Sequence, residues 1–132
     1  KYFSIKELCN STTAKKKGID NTPTPEAEAN LVRLIEEVLD LLENSTKAIS
    51  VSSGYRCEAL NSAVGGAKNS FHKTGCAADI HCKTNSCTKK VFEIAKTIGK
   101  YTELLYERSG SAIWVHISWD PNSSKHYCCD NY

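Results

Sequence analysis

The sequence predicts an α+β fold in which helices pack on a small, mostly antiparallel sheet. Three observations lead there. A capped stretch after residue 24 repeats its apolar residues at three and four positions, short β-branched runs alternate with turn residues, and the last two such runs lie close enough to form a hairpin. At 132 residues, residues 1–132 read as one domain, and a domain of that size buries about two thirds of the surface its unfolded form exposes.

Ser4-Ile5-Lys6-Glu7 is a capping box that starts a short helix over Leu8 and Cys9. The polar stretch 10–21 follows, with Lys15-Lys16-Lys17 as a solvated face. Thr24-Pro25-Glu26 opens a long helix: threonine caps it, proline suits its first turn, and glutamate faces the positive end of its dipole. Leu31, Leu34, Ile35, Val38, Leu39, Leu41 and Leu42 form its apolar stripe, a pattern of core packing. Residues 48–52 alternate as a strand that Ser53-Gly54 ends, and residues 58–64 make a helical turn that Gly65-Gly66 breaks. A second strand covers 77–82. Val91, Ile94, Ala95 and Ile98 mark a helix over 88–98, stopped by Gly99. Strands 102–107 and 113–118, with 108–112 between them, suit an antiparallel hairpin. From Asp120 onward the chain reads as turn-like.

Seventeen Lys and Arg against fifteen Asp and Glu leave a formal charge of +2, which lacks the basic excess of nucleic-acid binders. No apolar run approaches the roughly 20 residues that span a bilayer, so neither nucleic acid nor membrane is an expected partner, and a monomer is expected. Lys1-Tyr2-Phe3 opens no recognisable signal peptide, and with no Met in the chain Lys1 is compatible with a removed leader or tag. Seven cysteines without a C-x-x-C pair argue against a four-cysteine zinc site. In an oxidising compartment they allow up to three disulfides, with Cys128-Cys129 placed to pin the tail; otherwise they are small buried hydrophobes.

The segment from His72 to Asp79 carries the chemistry. On an unbroken helix residues seven apart stand about 10 Å from each other, too far to share one ion. Gly75 argues for a turn instead, one that folds the imidazole back onto the carboxylate, and small Ala77 and Ala78 allow close backbone approach. A third ligand is available in His116, a histidine in the apolar run 113–118, or in His81, which shares a strand face with Asp79. His126 reads as surface. Two histidines and one carboxylate are three protein ligands, the number with which catalytic zinc sites keep a position open for water.

The motifs Ser53-Gly54-Tyr55-Arg56, Leu60-Asn61-Ser62-Ala63-Val64-Gly65-Gly66, Asn69-Ser70-Phe71-His72, Gly75-Cys76-Ala77-Ala78-Asp79-Ile80 and Trp114-Val115-His116-Ile117-Ser118 resemble the zinc D-Ala-D-Ala carboxypeptidase family. That family includes phage and bacterial cell-wall peptidases and shares its fold with lysostaphin-type enzymes and the hedgehog domain. The similarity runs from Phe3 to Trp119. It implies one zinc ion held by His72, Asp79 and His116, on the sheet. It also implies Arg56 as the group that stabilises the oxyanion, where the residue alone reads equally as a surface ion pair, and Ser70 as a substrate contact, where the residue reads equally as plain turn chemistry.

The best-known members place an acid two or three residues before the last histidine, where this chain has Ile113 and Trp114. The closer subgroup, resembled by Leu104-Leu105-Tyr106-Glu107, points to Glu107 as general base, with Glu103 of the same parity as runner-up. If Glu107 pairs with Trp114, then Leu105 pairs with His116 and all four side chains share one face. The expected function is hydrolysis of peptidoglycan stem peptide at the cell wall, as a D-Ala-D-Ala carboxypeptidase or an endolysin-type endopeptidase, exported or released as a phage lysin. The alternative is a non-catalytic cell-wall or protein-binding module that keeps the fold.

Overall fold

The computed structural model describes residues 2–130. Its centre is a five-stranded sheet in the order β1-β2-β4-β3-β5, built from β1 (Ser50–Ser53), β2 (Ala77–His81), β3 (Glu103–Ser109), β4 (Ala112–Ser118) and β5 (Tyr127–Asp130). All neighbours are antiparallel except β3 and β5. The expected α+β class holds, and among the described residues no helix is long and apolar enough to cross a membrane.

Alternation along the strands divides the sheet into two faces. Ala78 and Ile80 of β2, Val115 and Ile117 of β4, and Leu104 and Tyr106 of β3 point into the core. There they meet Val91, Phe92 and Ala95 of α6 (Asn85–Ile98) and the buried stripe of the long helix. Their neighbours in sequence, Asp79, His116, Glu103 and Glu107, must therefore lie on the opposite face.

The expected short first helix is α1 (Ile5–Leu8), with the Ser4 hydroxyl accepting from the Glu7 N–H. Within the polar stretch, to which no element was assigned, α2 (Thr12–Lys17) forms: Ser11 caps it, and its three lysines are exposed. The long helix starts as expected, with Thr24 as cap and Pro25 in the first turn of α3 (Pro25–Leu34). It passes through a π-helical segment, Ile35–Leu39, before α4 (Asp40–Thr46). There the Asp40 N–H bonds the Ile35 carbonyl, which inserts one extra residue into the turn. The apolar stripe rotates accordingly: Leu39 and Leu42 are buried, whereas Leu41, expected in the core, is 45% exposed.

The α6 helix begins three residues earlier than its apolar pattern suggests, because the Thr84 hydroxyl caps it at the Cys87 N–H. A Cys82–Cys87 disulfide joins the end of β2 to the first turn of α6. Cys9, Cys57, Cys76 and Cys128 remain thiols. Cys128, offered as a place to pin the tail in an oxidising compartment, is thus in no disulfide, and the tail is not turn-like throughout. It is held as β5, parallel to β3, and by His126, whose ring donates to the Gly99 carbonyl and stacks on Tyr101.

Two short elements position the site. Helix α5 (Glu58–Ala63) follows β1, and a 3-10 turn, Phe71–Thr74, precedes β2. Gly75 ends that turn at φ +79°, and a Cβ on it would overlap the Ala27 backbone carbonyl. Both constraints demand glycine. Gly75→Ala is expected to destabilise the fold by about 2 kcal/mol or more, the scale of a strained left-handed residue. A urea midpoint unchanged from the parent would count against this account of the turn.

Candidate metal centre

The register on which a shared face for Glu107 and His116 depends is the one observed: Glu107 faces Trp114, Leu105 faces His116, and Glu103 faces Ser118. On the other side of β4, Asp79 of β2 faces His116 directly. The turn at Gly75 then brings His72 back over Asp79, as the His72-to-Asp79 spacing suggested. Asp79 Oδ1 lies 3.3 Å from His72 Nε2 and 3.1 Å from His116 Nδ1. Donors about 2 Å from one ion at tetrahedral angles stand roughly 3.3 Å apart, so these distances suit a common cation. One ligand atom from each of the three residues lies within 4.8 Å of the others. His81 sits further along β2, opposite Ser50, and does not join the group.

The outer atoms of both imidazoles are engaged. His72 Nδ1 donates to the Gly54 carbonyl at 2.7 Å. A carbonyl can only accept, so Nδ1 carries a proton and Nε2 is the ring atom that faces Asp79. His116 Nε2 donates to Glu103 Oε1 at 2.9 Å, the carboxylate–imidazole arrangement that orients a metal-binding ring. Glu103 is held in turn by Lys125 Nζ at 2.6 Å from Oε2.

Charge in the cluster is balanced internally. Burial works against the Asp79 carboxylate, but hydrogen bonds from His116 and His72 outweigh it and hold its pKa far below the usual range. Glu103 is lowered to about 2, chiefly by its bond to His116, with burial opposing and Lys125 assisting. Burial favours neutral His116, yet the bonds to Asp79 and Glu103 prevail and lift its pKa to about 9. Positive charge between the two carboxylates is thus carried by a proton on His116, and a divalent cation on the inner donors would supply the same compensation. The donor set therefore fits a metal ion.

Arg56 is part-buried beside the cluster. Its Nη2 lies 3.6 Å from Asp79 Oδ2, Nε donates to Ser53 Oγ at 3.1 Å, and Nη1 donates to Asn61 Oδ1 at 3.3 Å. Asn61 is itself buried and donates to the Ala67 carbonyl. Gly66 is required here, because a Cβ on it would overlap the Asn61 carboxamide. The Ser70 hydroxyl accepts from the His72 N–H at 3.1 Å, which is the turn chemistry its position allows. Glu107 Oε1 accepts from Trp114 Nε1 at 3.0 Å. Arg56, Ser70, Glu103, Glu107 and Trp114 line one cavity of about 400 Å³ together with the three candidate ligands.

Sequence reasoning missed the supports. Ser53 reads as a strand end and, like Asn61, as part of a motif, and Trp114 as a cross-strand neighbour of Glu107 with no bond assigned to it. The S-x-x-R spacing, which lets a hydroxyl reach back to a guanidinium, was the one usable signal. Lys125 carries none, because it reaches Glu103 through the docking of the tail.

A family model described as Peptidase M15 matches residues 1–118. No curated protein matches the chain.

The centre is expected to take up one divalent ion, and His72→Ala, Asp79→Ala or His116→Ala should each abolish that uptake. Glu103→Gln should retain the stoichiometry and weaken affinity about 10- to 100-fold, the usual effect of removing an outer partner. Competition with a chromogenic chelator measures both; equal affinity for Glu103→Gln and the parent would remove Glu103 from the support of His116.

Proposed function

The chain belongs to the Peptidase M15 family, and from that premise we propose that it is a zinc peptidase hydrolysing the peptide stem of peptidoglycan, with His72, Asp79 and His116 holding one zinc ion. The observation that carries this reading is the convergence of those three residues in a cavity that also contains a guanidinium and two further carboxylates. Two imidazoles and a carboxylate suit zinc and leave a coordination position open. Bound there, zinc supplies Lewis acidity, lowering the pKa of water and polarising the peptide carbonyl.

The chain's own residues divide the remaining work. Arg56 directs N–H groups at Ser53, Asn61 and Asp79, which leaves two of its five donors for the oxyanion that develops on the carbonyl. Glu103 has both oxygens engaged, by His116 and Lys125, so it orients a ligand. Glu107 accepts one bond, from Trp114, and keeps its other oxygen for a proton. It is the general base: it takes a proton from the attacking water and passes it to the leaving amine. Ser70 Oγ accepts from the His72 N–H and retains its own proton to donate to substrate. The bond cut is the terminal D-Ala-D-Ala bond or an internal one, and the site of action is the bacterial cell wall, reached by export or as a phage lysin.

Zinc content and release of new amino termini from purified peptidoglycan test the proposal together. Glu107→Gln is expected to retain zinc and lose about 10²- to 10⁴-fold in kcat. A zinc-loaded parent that never cuts wall peptide would overturn the enzyme reading and favour a binding module.

A further inference from the structure

Resting on the reading of His72, Asp79 and His116 as a metal centre, we infer that the segment 119–130 is a built-in clamp on that centre, and that its Lys125 is a positioning residue which sets metal affinity through Glu103 and His116. The last residue matched by the family model is 118, so the clamp lies beyond the matched region.

Three consecutive residues at the entry to β3 each meet this segment. The Tyr101 ring stacks on that of His126 with 4.2 Å between centroids, and His126 Nε2 donates to the Gly99 carbonyl. Thr102, itself buried, closes both ends of the loop 120–127: its hydroxyl accepts from the Asp120 N–H at 2.8 Å, and its carbonyl accepts from the Tyr127 N–H at 2.9 Å. Glu103 then receives Lys125 Nζ on Oε2 at 2.6 Å. A loop whose two ends are fixed on one residue has few ways to place its interior, and here the ammonium is delivered to the next residue along β3. Within the loop the Lys125 N–H donates to Ser123 Oγ at 3.2 Å, and Nζ stands 5.9 Å from the centre of the Tyr127 ring.

The partners of Glu103 explain what the clamp does. Oε1 serves His116 Nε2 at 2.9 Å, with Ser118 Oγ further off at 3.4 Å, whereas among the described residues Oε2 has Lys125 alone. A carboxylate held by one oxygen can pivot about it, and one held by both presents Oε1 in a fixed direction. That direction sets the orientation of the His116 ring, and with it where Nδ1 points beside Asp79 Oδ1, 3.1 Å away. The ion pair adds little to stability, because the lysine side chain is 48% exposed and its charge is screened by water. Its effect therefore lies in geometry: without the ammonium the fold persists and the ligand loses its aim.

The test measures zinc affinity, by competition with a chromogenic chelator, and the thermal midpoint for the parent, Lys125→Met, Lys125→Arg, Glu103→Gln and the double variant Glu103→Gln with Lys125→Met. Lys125→Met is expected to keep the midpoint and one bound ion while weakening affinity about tenfold, the lower end of the effect of removing an outer partner of a ligand. Lys125→Arg should restore the affinity, since a guanidinium can also bond Oε2. In the Glu103→Gln background the lysine should no longer matter, because residues that act through one another are non-additive. Equal affinity of Lys125→Met and the parent would overturn the inference. So would the same loss in both backgrounds, with or without a lowered midpoint, because Lys125 would then act on the whole fold or field and not through Glu103. A parent that takes up no ion would overturn the metal-centre reading, and the inference with it.

Discussion

Asp79 and His116 face each other across β2 and β4, and every other feature of the candidate centre is arranged around that pair. Their alignment is set from the far side of the sheet. Ile80, Val115 and Ile117 must point into the core, and because side chains alternate, burying them fixes which way Asp79 and His116 point. A slip of one residue would carry both into the core and expose the apolar set. Glu103 and Glu107 follow the same logic on β3, where Leu104 and Tyr106 are the buried partners.

A polar cluster this enclosed persists only because its members satisfy one another. Asp79 receives both imidazoles and has the Arg56 guanidinium nearby, His72 is anchored by a backbone carbonyl, and His116 bridges two carboxylates. The supports come from distant parts of the chain: Ser53 at the end of β1, Asn61 in α5, and Lys125 in the tail. Lys125 lies beyond residues 1–118, the part matched by the Peptidase M15 model, so this prop of Glu103 comes from outside the matched region.

The sequence reading was most accurate where one local interaction decides the outcome. Ser4 and Thr24 cap helices as their side chains allow, Gly99 stops α6, and the hairpin adopts the register in which Glu107 and His116 share a face. It was least accurate where a competing interaction lies far away in sequence or leaves no periodic trace. The π-helical turn moves Leu41 out of the core, a rotation invisible to a count of threes and fours. The tail becomes a strand only because β3 offers it an edge, and residues 10–21 hide a helix whose apolar content is too low to show a stripe.

The sequence by itself determined the alternating strands, the capped helices, the glycine that turns His72 towards Asp79, and the presence of His72, Asp79, His116, Arg56 and two possible bases. These depend on short-range sterics and on side-chain period, which are written locally. The tertiary structure brings His116, the histidine that the family resemblance implied, beside His72 and Asp79 and leaves His81 outside the group. It also separated the two glutamates, placing Glu103 against the outer nitrogen of His116 and Glu107 against Trp114. The physical reason is that parity assigns a side chain to a face, but its neighbours on that face depend on how strands pair and on what the loops and tail bring across them.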